Sequence, residues 1–326
     1  MMFKPTHLLR RLMALMLATS ATWAAAQDFP NRPIRLVVPY GPGGVTDINA
    51  RTLATRLGEI LGQSVVVDNR AGGASIVGSD AVAKAKPDGY TLLLNPASHL
   101  TVPFFNKKMP YDAVKDFTPI IAAAYNNRCI VVHPSLPVQN LTELIAYAKK
   151  NPGKLSYGVA ASGSAQELAG DLLKFTTGID MVPVPYKGGA PAMNDLLGGQ
   201  IQMGIFVLAD TLQHIKTGRL RALGIVEGRR SKAASDIPTV AQAGVPGFAI
   251  PDQWIGIFGP AGLPANIAQR INAEMNKTLA LPDVKAALEN IGYETIGGSP
   301  TEFATMVADD QRKYQKLSET IVLNVQ

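Results

Sequence analysis

Strand-like apolar runs alternate with amphipathic helical stretches along almost the whole chain, and this alternation constrains the fold more than any other feature. The first unit contains three strands and two helices, which we predict at residues 34–38, 46–61, 65–67, 76–86 and 90–94. Such an order predicts a largely parallel sheet with helices on both faces.

The same alternation restarts after Asn126 and Asn127. Asn140 and Glu143 have the spacing of a capping box, which predicts a helix over residues 141–150. Further strands and helices are predicted at 129–132, 155–159, 165–177, 182–185, 201–206, 220–226, 254–258, 265–280, 282–291 and 301–322.

These patterns predict an α/β protein of two domains, each a doubly wound, mainly parallel sheet. Domain 1 is expected to be discontinuous, formed by residues 27–126 and 252–326, with residues 127–251 inserted as domain 2. Two crossings of the chain between the domains would then form a hinge.

The first 26 residues have the pattern of a secretory signal peptide. Three basic residues (Lys4, Arg10 and Arg11) precede a short apolar run, and Ala24–Ala26 supply small residues before Gln27. We expect cleavage after Ala26. No cysteine stands directly after the apolar run at the cleavage site, which argues against a lipid anchor on a mature N-terminal cysteine.

Charge and cysteine content argue against a nucleic-acid-binding protein and against a fold held by disulfides. The chain has 31 basic and 25 acidic side chains, but it lacks the basic runs and aromatic content of a nucleic-acid-binding protein. Its single cysteine, Cys129, lies in a strand-like apolar run. We predict a buried thiol that takes part in no internal disulfide.

Two glycine-rich segments join a strand to a helix, one in each predicted domain, at residues 38–47 and 157–165. Glycine lets the backbone approach a ligand closely, and a helix N-terminus adds partial positive charge. In a doubly wound sheet, ligands bind beyond the carboxyl ends of strands, where both segments lie. Either segment alone could be an ordinary turn, but the pair favours an anion site in a shared cleft.

The same segments do not match nucleotide-binding loops, because Val45 and Thr46 follow Gly44 where a P-loop requires Lys and Ser or Thr. No motif of a serine hydrolase or zinc protease occurs. We therefore expect no catalytic residue, no metal and no cofactor, and we expect Asp309 and Asp310 on a solvated helix face. His99 either lines the cleft or is a structural histidine.

The chain resembles, over nearly its whole mature length, the Bordetella-uptake-gene (Bug) solute receptors of tripartite tricarboxylate transporters. The resemblance rests on the order and spacing of short segments at 33–39, 42–47, 65–70, 86–91, 184–188, 190–192, 195–199 and 237–240. It implies a periplasmic-binding-protein fold of the second type, with two lobes that close on a ligand like a Venus flytrap. It also implies a periplasmic, monomeric receptor, not an enzyme, that serves the membrane subunits of a transporter.

The resemblance further implies that backbone amides of the first loop and polar groups of the second domain hold a small carboxylate. The candidates in domain 1 are Tyr40, Gly43, Gly44, Val45, Asp47 and Ser98, and those in domain 2 are Ala161, Ser162, Ser164 and Tyr186. Asp47 is interpreted as a cap that orders the loop, since its charge would repel an anion.

One position departs from the family pattern. Many relatives have an Asp where this chain has Phe206, so a contact for a ligand ammonium group is missing. This favours a mono- or dicarboxylate with an apolar or aromatic body over an amino acid, and it adds Phe206 to the candidate site.

Two other functions stay open. One is an exported hydrolase or isomerase on the same scaffold, which turnover of a substrate would support. The other is a periplasmic sensor subunit, and neighbouring genes for membrane subunits would favour a transport receptor over it.

Overall fold

The protein is described here from a computed structural model, which describes residues 29–106, 108–159, 165–186, 188–248 and 250–320. The predicted signal peptide and the candidates Ala161, Ser162 and Ser164 lie outside these residues. No helix within the described ranges is long and apolar enough to span a membrane.

The described chain alternates strands and helices from one end to the other. The strands are β1 (Ile34–Val38), β2 (Val65–Asn69), β3 (Thr91–Pro96), β4 (Phe117–Asn126), β5 (Arg128–Val132), β6 (Leu155–Val159), β7 (Met181–Pro185), β8 (Met203–Val207), β9 (Arg221–Ile225), β10 (Gln253–Pro260) and β11 (Tyr293–Gly297). The α-helices are α1 (Val45–Leu61), α2 (Ile76–Ala83), α3 (Ser98–Phe105), α4 (Leu141–Lys150), α5 (Ala165–Thr177), α6 (Gly189–Leu197), α7 (Leu208–Lys216), α8 (Ala265–Ala280), α9 (Pro282–Asn290) and α10 (Pro300–Thr320).

The strands form two sheets that share a five-strand order, to which the first sheet adds β11 at one edge. The first has the order β11-β4-β10-β3-β1-β2 and the second the order β7-β6-β8-β5-β9. Strand β1 pairs in parallel with β2 and β3, and β6 pairs in parallel with β7 and β8. The predicted α/β class and two-sheet arrangement are therefore confirmed.

Both sheets are mixed, but four of the six strands in the first sheet and four of the five in the second run in one direction, as expected for mainly parallel sheets. Strand β10 is antiparallel to β3 and β4, strand β5 is antiparallel to β8 and β9, and β11 is antiparallel to β4. Strands β5 and β10 are those by which the chain enters one sheet from the other. Both strands start at the hinge edge of their sheet, where the parallel strands end, and therefore run antiparallel to those strands. No crossover helix precedes them, because the chain enters directly from the other sheet.

Buried polar contacts join the two crossings of the chain between the sheets. The Arg128 amide donates to Glu227 Oε2 at 2.7 Å, and Arg128 Nη2 donates to Gln253 Oε1 at 2.9 Å. Burial raises the pKa of Glu227 to about 7. Because the first sheet is built from residues on both sides of the second, domain boundaries at 126/127 and 251/252 stay our proposal.

Two side chains of reactive types are core residues. Cys129 is fully buried, as predicted, and burial raises the pKa of its thiol to about 12. His99 is also fully buried, with Nε2 2.7 Å from the Ala113 carbonyl oxygen and Nδ1 3.1 Å from Asn95 Nδ2. Of the two interpretations left open for His99, the structural one is correct.

Candidate functional site

The candidate side chains of domain 1 meet at the carboxyl ends of β1 and β3. Tyr40 follows β1, and Ser98 opens α3 just after β3. The Tyr40 hydroxyl lies 2.9 Å from Ser98 Oγ, and burial raises the pKa of Tyr40. The phenol is therefore protonated at neutral pH and can share a hydrogen-bond network with Ser98.

Asp47 is the centre of the loop that follows β1. One carboxylate oxygen accepts hydrogen bonds from the Gly43 amide at 2.8 Å and from Arg51 Nε at 2.9 Å. The other accepts one from Asn69 Nδ2 at 2.9 Å. Asp47 is buried, and these bonds, that from Arg51 foremost, lower the pKa of its carboxyl to about 2. The geometry fits the interpretation of Asp47 as a cap that orders the loop.

The two glycines of the loop have different roles. Gly43 has a φ of +80°, in the left-handed region that favours glycine, whereas Gly44 has a φ of −77° that any residue can adopt. The Gly43 amide is already occupied by Asp47. Gly43 is therefore placed to shape the loop and not to donate to a ligand.

The donors left for an anion are the amides that open α1. A helix leaves its first N–H groups without partners in the helix, and at this end they carry partial positive charge. The amides of Val45 and Thr46 have no acceptor among the described residues, and Val45 is 47% exposed. The sequence analysis included Val45 in the site but not Thr46.

Two further residues that the sequence analysis missed hold the loop in place. Asn69, at the end of β2, donates to the Tyr40 carbonyl oxygen at 3.1 Å as well as to Asp47. Arg51 Nη2 donates to Asn69 Oδ1 at 3.0 Å. The sequence did contain a signal for Asn69: it is an amide side chain at the end of β2, and parallel neighbouring strands such as β1 and β2 end at the same edge of a sheet. The positive charge of Arg51 is paired with Asp47.

In domain 2 the structure describes Tyr186 and Phe206 of the predicted candidates. Tyr186 follows β7, and its hydroxyl donates to Asp195 Oδ2 at 2.7 Å. Burial and this carboxylate raise the pKa of Tyr186 to about 12. Phe206 is only 4% exposed, and its ring covers Gly204, where any added Cβ would overlap it. Tyr186 is partly accessible, whereas Phe206 belongs to the core of the second sheet.

Metal binding has no support in the described ranges, where no three His, Cys, Asp or Glu side chains are grouped closely enough to hold an ion. The loop instead combines amide and hydroxyl donors with the Asp47 carboxylate, whose negative charge is paired with Arg51. This arrangement is suited to holding an anion of carboxylate size.

Comparison with known proteins gives one consistent result. The family described as "Tripartite tricarboxylate transporter family receptor" matches residues 49–323. A UPF0065 protein from the tcbD-tcbE intergenic region of Pseudomonas sp. strain P51 is 41% identical, over 95% of this chain and 93% of its own.

Solved structures agree with the sequence matches. A protein of R. palustris with adipate is 36% identical, with a TM-score of 0.77 over 90% of this chain and 98% of its own. The periplasmic binding protein BugD is 32% identical, with a TM-score of 0.75 over 91% and 100% of the two chains. MatC from Rhodopseudomonas palustris, with bound malate, is 28% identical, with a TM-score of 0.74 over 89% and 100%.

Proposed function

The chain belongs to the tripartite tricarboxylate transporter family of receptors, and from this premise we propose that it captures a small mono- or dicarboxylate between its two sheets. The observation that carries the proposal is the loop after β1, where Asp47 and Asn69 fix the backbone and the first amides of α1 have no acceptor within the part of the chain that the structure describes. Those amides supply partial positive charge without an unpaired cation beside them.

A carboxylate suits this loop better than a phosphate or a zwitterion. Its two oxygens match a small set of N–H and hydroxyl donors, here the amides of Val45 and Thr46 with Tyr40 and Ser98 as neighbours. Adipate and malate, carried by two related structures, are both dicarboxylates. Tyr186 is our candidate for a partly apolar wall opposite the loop.

A receptor also fits the described residues better than a hydrolase or isomerase does. Two side chains of types used in nucleophilic or acid–base catalysis, Cys129 and His99, are both fully buried. Burial holds the Cys129 thiol protonated and the His99 ring neutral. Neither can reach a substrate in a cleft. We propose that the receptor acts as a monomer in the periplasm and delivers its ligand to transporter membrane subunits.

A thermal-shift screen of purified mature protein tests the proposed ligand class. Adipate, malate and benzoate should be compared with aspartate and glutamate at equal concentration. A ligand present at about 100 times its Kd adds about 2.7 kcal/mol of stability, and we expect micromolar binding, about −8 kcal/mol, for a carboxylate without an ammonium group. Stabilisation by the amino acids alone would contradict the inference drawn from Phe206.

Substitution of the two loop glycines separates loop shape from ligand contact. Gly43→Ala should weaken carboxylate binding roughly tenfold, because a φ of +80° costs about 1–2 kcal/mol in a residue with a Cβ. Gly44→Ala is the matched control, since its backbone is relaxed and its added Cβ meets only the Gly41 carbonyl oxygen at 3.7 Å. Calorimetry on both variants should show the larger loss for Gly43→Ala; equal affinities in folded proteins would remove this loop from the site.

Export is tested by the mass of the protein from the periplasmic fraction. We expect the mature chain to begin at Gln27, or at its cyclised form, because Ala24 and Ala26 flank a suitable cleavage site. Intact-mass spectrometry gives the answer in one measurement. A periplasmic protein that still carries Met1 would contradict this expectation.

A further inference from the structure

The turn between α9 and β11 lies directly against the first turn of α7, across the gap between the two sheets. Gly292, in that turn, has a φ of +80°. A Cβ built on Gly292 would overlap the Ala209 Cβ and would lie 3.4 Å from the Ala209 Cα. The backbones of the two predicted domains are therefore in contact at this point.

A second contact joins the same edges of the two sheets. Glu294, on β11, accepts hydrogen bonds from Ser231 Oγ at 2.9 Å and from the Lys232 amide at 3.1 Å, both in the segment that follows β9. The Tyr125 hydroxyl donates to the other Glu294 oxygen at 2.7 Å. We call the Gly292–Ala209 contact, together with the bonds from Ser231 and Lys232 to Glu294, the rear contact.

The strand order places the rear contact across the hinge from the candidate ligand loop. In the first sheet, β4 and β10 adjoin the crossings, and they separate β11 from β3, β1 and β2. In the second sheet, β9 is the edge strand, and β5 separates it from β8, β6 and β7. Helix α7 follows β8, but Ala209 lines one small cavity together with Ser231, Gly292 and Glu294, so its first turn lies on the side of β9 and β11. A rotation about the crossings that opens the side of β1 and β6 must press the rear side together.

We propose that the rear contact is a stop that limits how far the ligand side opens, so that the side chains at positions 209 and 292 set ligand affinity. The proposal rests on the proposed function, since it assumes that the ligand binds between closed lobes. Gly292 and Ala209 already touch, so further opening would drive one backbone into the other. A larger side chain at either position pushes the rear side apart and favours closure of the ligand side.

The expected consequence is tighter binding without any change at the ligand loop. A receptor whose closed form is a minor population binds with an apparent affinity reduced by that fraction. Ala209→Leu should raise the closed fraction and tighten carboxylate binding roughly three- to tenfold. Ala209→Gly removes the methyl group, so it should leave binding unchanged or slightly weaker.

Gly292→Asn adds bulk from the other side of the contact, and asparagine tolerates a left-handed backbone better than most residues do. The matched control is Gly262→Asn. Gly262 has nearly the same φ, +76°, but no atom lies within 4 Å of its added Cβ. A change seen in Gly292→Asn but not in Gly262→Asn therefore reports the contact and not the backbone conformation.

Spin-label distances measure closure independently of any ligand. Thr55→Cys on α1 and Phe175→Cys on α5 place labels at exposed positions in the two predicted domains, while Cys129 is fully buried. In ligand-free protein, Ala209→Leu and Gly292→Asn should shift the distance distribution to shorter values. Unchanged or longer distances in folded variants would overturn the stop.

Calorimetry with adipate and malate on the same variants completes the test. If distances shorten and affinity rises, the stop controls binding. If distances shorten but neither wild type nor variant binds any carboxylate, the proposed function fails while the stop stands. If wild type binds adipate or malate and the distances do not change, the stop fails while the proposed function stands.

Discussion

Replacing Asp47 by alanine should weaken carboxylate binding roughly a hundredfold, which corresponds to about 2.7 kcal/mol. The buried carboxylate accepts hydrogen bonds from the Gly43 amide, Arg51 and Asn69, and all three bonds would be lost, although Arg51 and Asn69 each keep one other acceptor. The loop would then have to be ordered on binding, and that ordering costs affinity. Titration calorimetry with adipate or malate measures the loss.

Asp47→Asn is the control, because its amide oxygen can still accept from the Gly43 amide while the charge opposite Arg51 is lost. It should retain more affinity than Asp47→Ala. If Asp47→Ala binds like wild type, the loop is not ordered by Asp47 or does not hold the ligand. If it binds more tightly, repulsion between Asp47 and the anion outweighs loop ordering.

Wild-type protein should lose about 2 kcal/mol of stability between pH 7 and pH 4.5 through His99 alone. Burial lowers the pKa of His99 from 6.5 to about 4. As the pH falls below 6.5, the unfolded chain takes up a proton that the native His99 cannot, so unfolding becomes progressively easier until the pH nears 4. Urea unfolding at a series of pH values measures this slope.

His99→Phe isolates that slope. The variant loses the bonds to Ala113 and Asn95 and should be less stable at pH 7, but it has no group to titrate at this position. Glu227, whose pKa is raised to about 7, makes the folded state more stable as the pH falls. This contribution is the same in wild type and variant, so it cancels when their pH slopes are compared. Equal pH slopes for wild type and variant would show that native His99 is protonated near its usual pKa.

The periodic elements were predictable because local pattern and tertiary environment agree. The predicted helices over 141–150 and 165–177 have the observed bounds, and the Asn140 cap accepts from the Glu143 amide at 2.9 Å. Strand β4, in contrast, was missed. Its sequence contains Pro119 and three successive alanines, and its extended form depends on pairing with β10 and β11 on its two sides.

Isolated charges were harder to interpret than periodic runs. Asp309 is half-buried with its side chain 44% exposed, which fits a solvated face, but Asp310 is 2% exposed and accepts from Trp254 Nε1 at 2.9 Å. The expectation of a solvated face was therefore wrong for Asp310. A helix face cannot be assigned from two adjacent residues, which point about 100° apart.

The candidate site, like the fold, was only partly predictable from the sequence. The glycine-rich segment after β1 was recognisable from composition, and the interpretation of Asp47 as a cap rested on its charge alone. Asn69 was missed as a support because it lies 22 residues from Asp47 and reaches it only through the pairing of β1 with β2. The burial of Phe206 depends on Gly204, two residues earlier on the same strand face.

A crystal structure of the mature protein with the carboxylate that stabilises it most tests the central claim most directly. We predict one carboxylate group of the ligand at the N-terminus of α1, with its oxygens 2.7–3.2 Å from the amide nitrogens of Val45 and Thr46. Asp47 should remain bonded to the Gly43 amide. A ligand carboxylate held elsewhere in the cleft, with the amides of α1 bound only to solvent, would contradict the account.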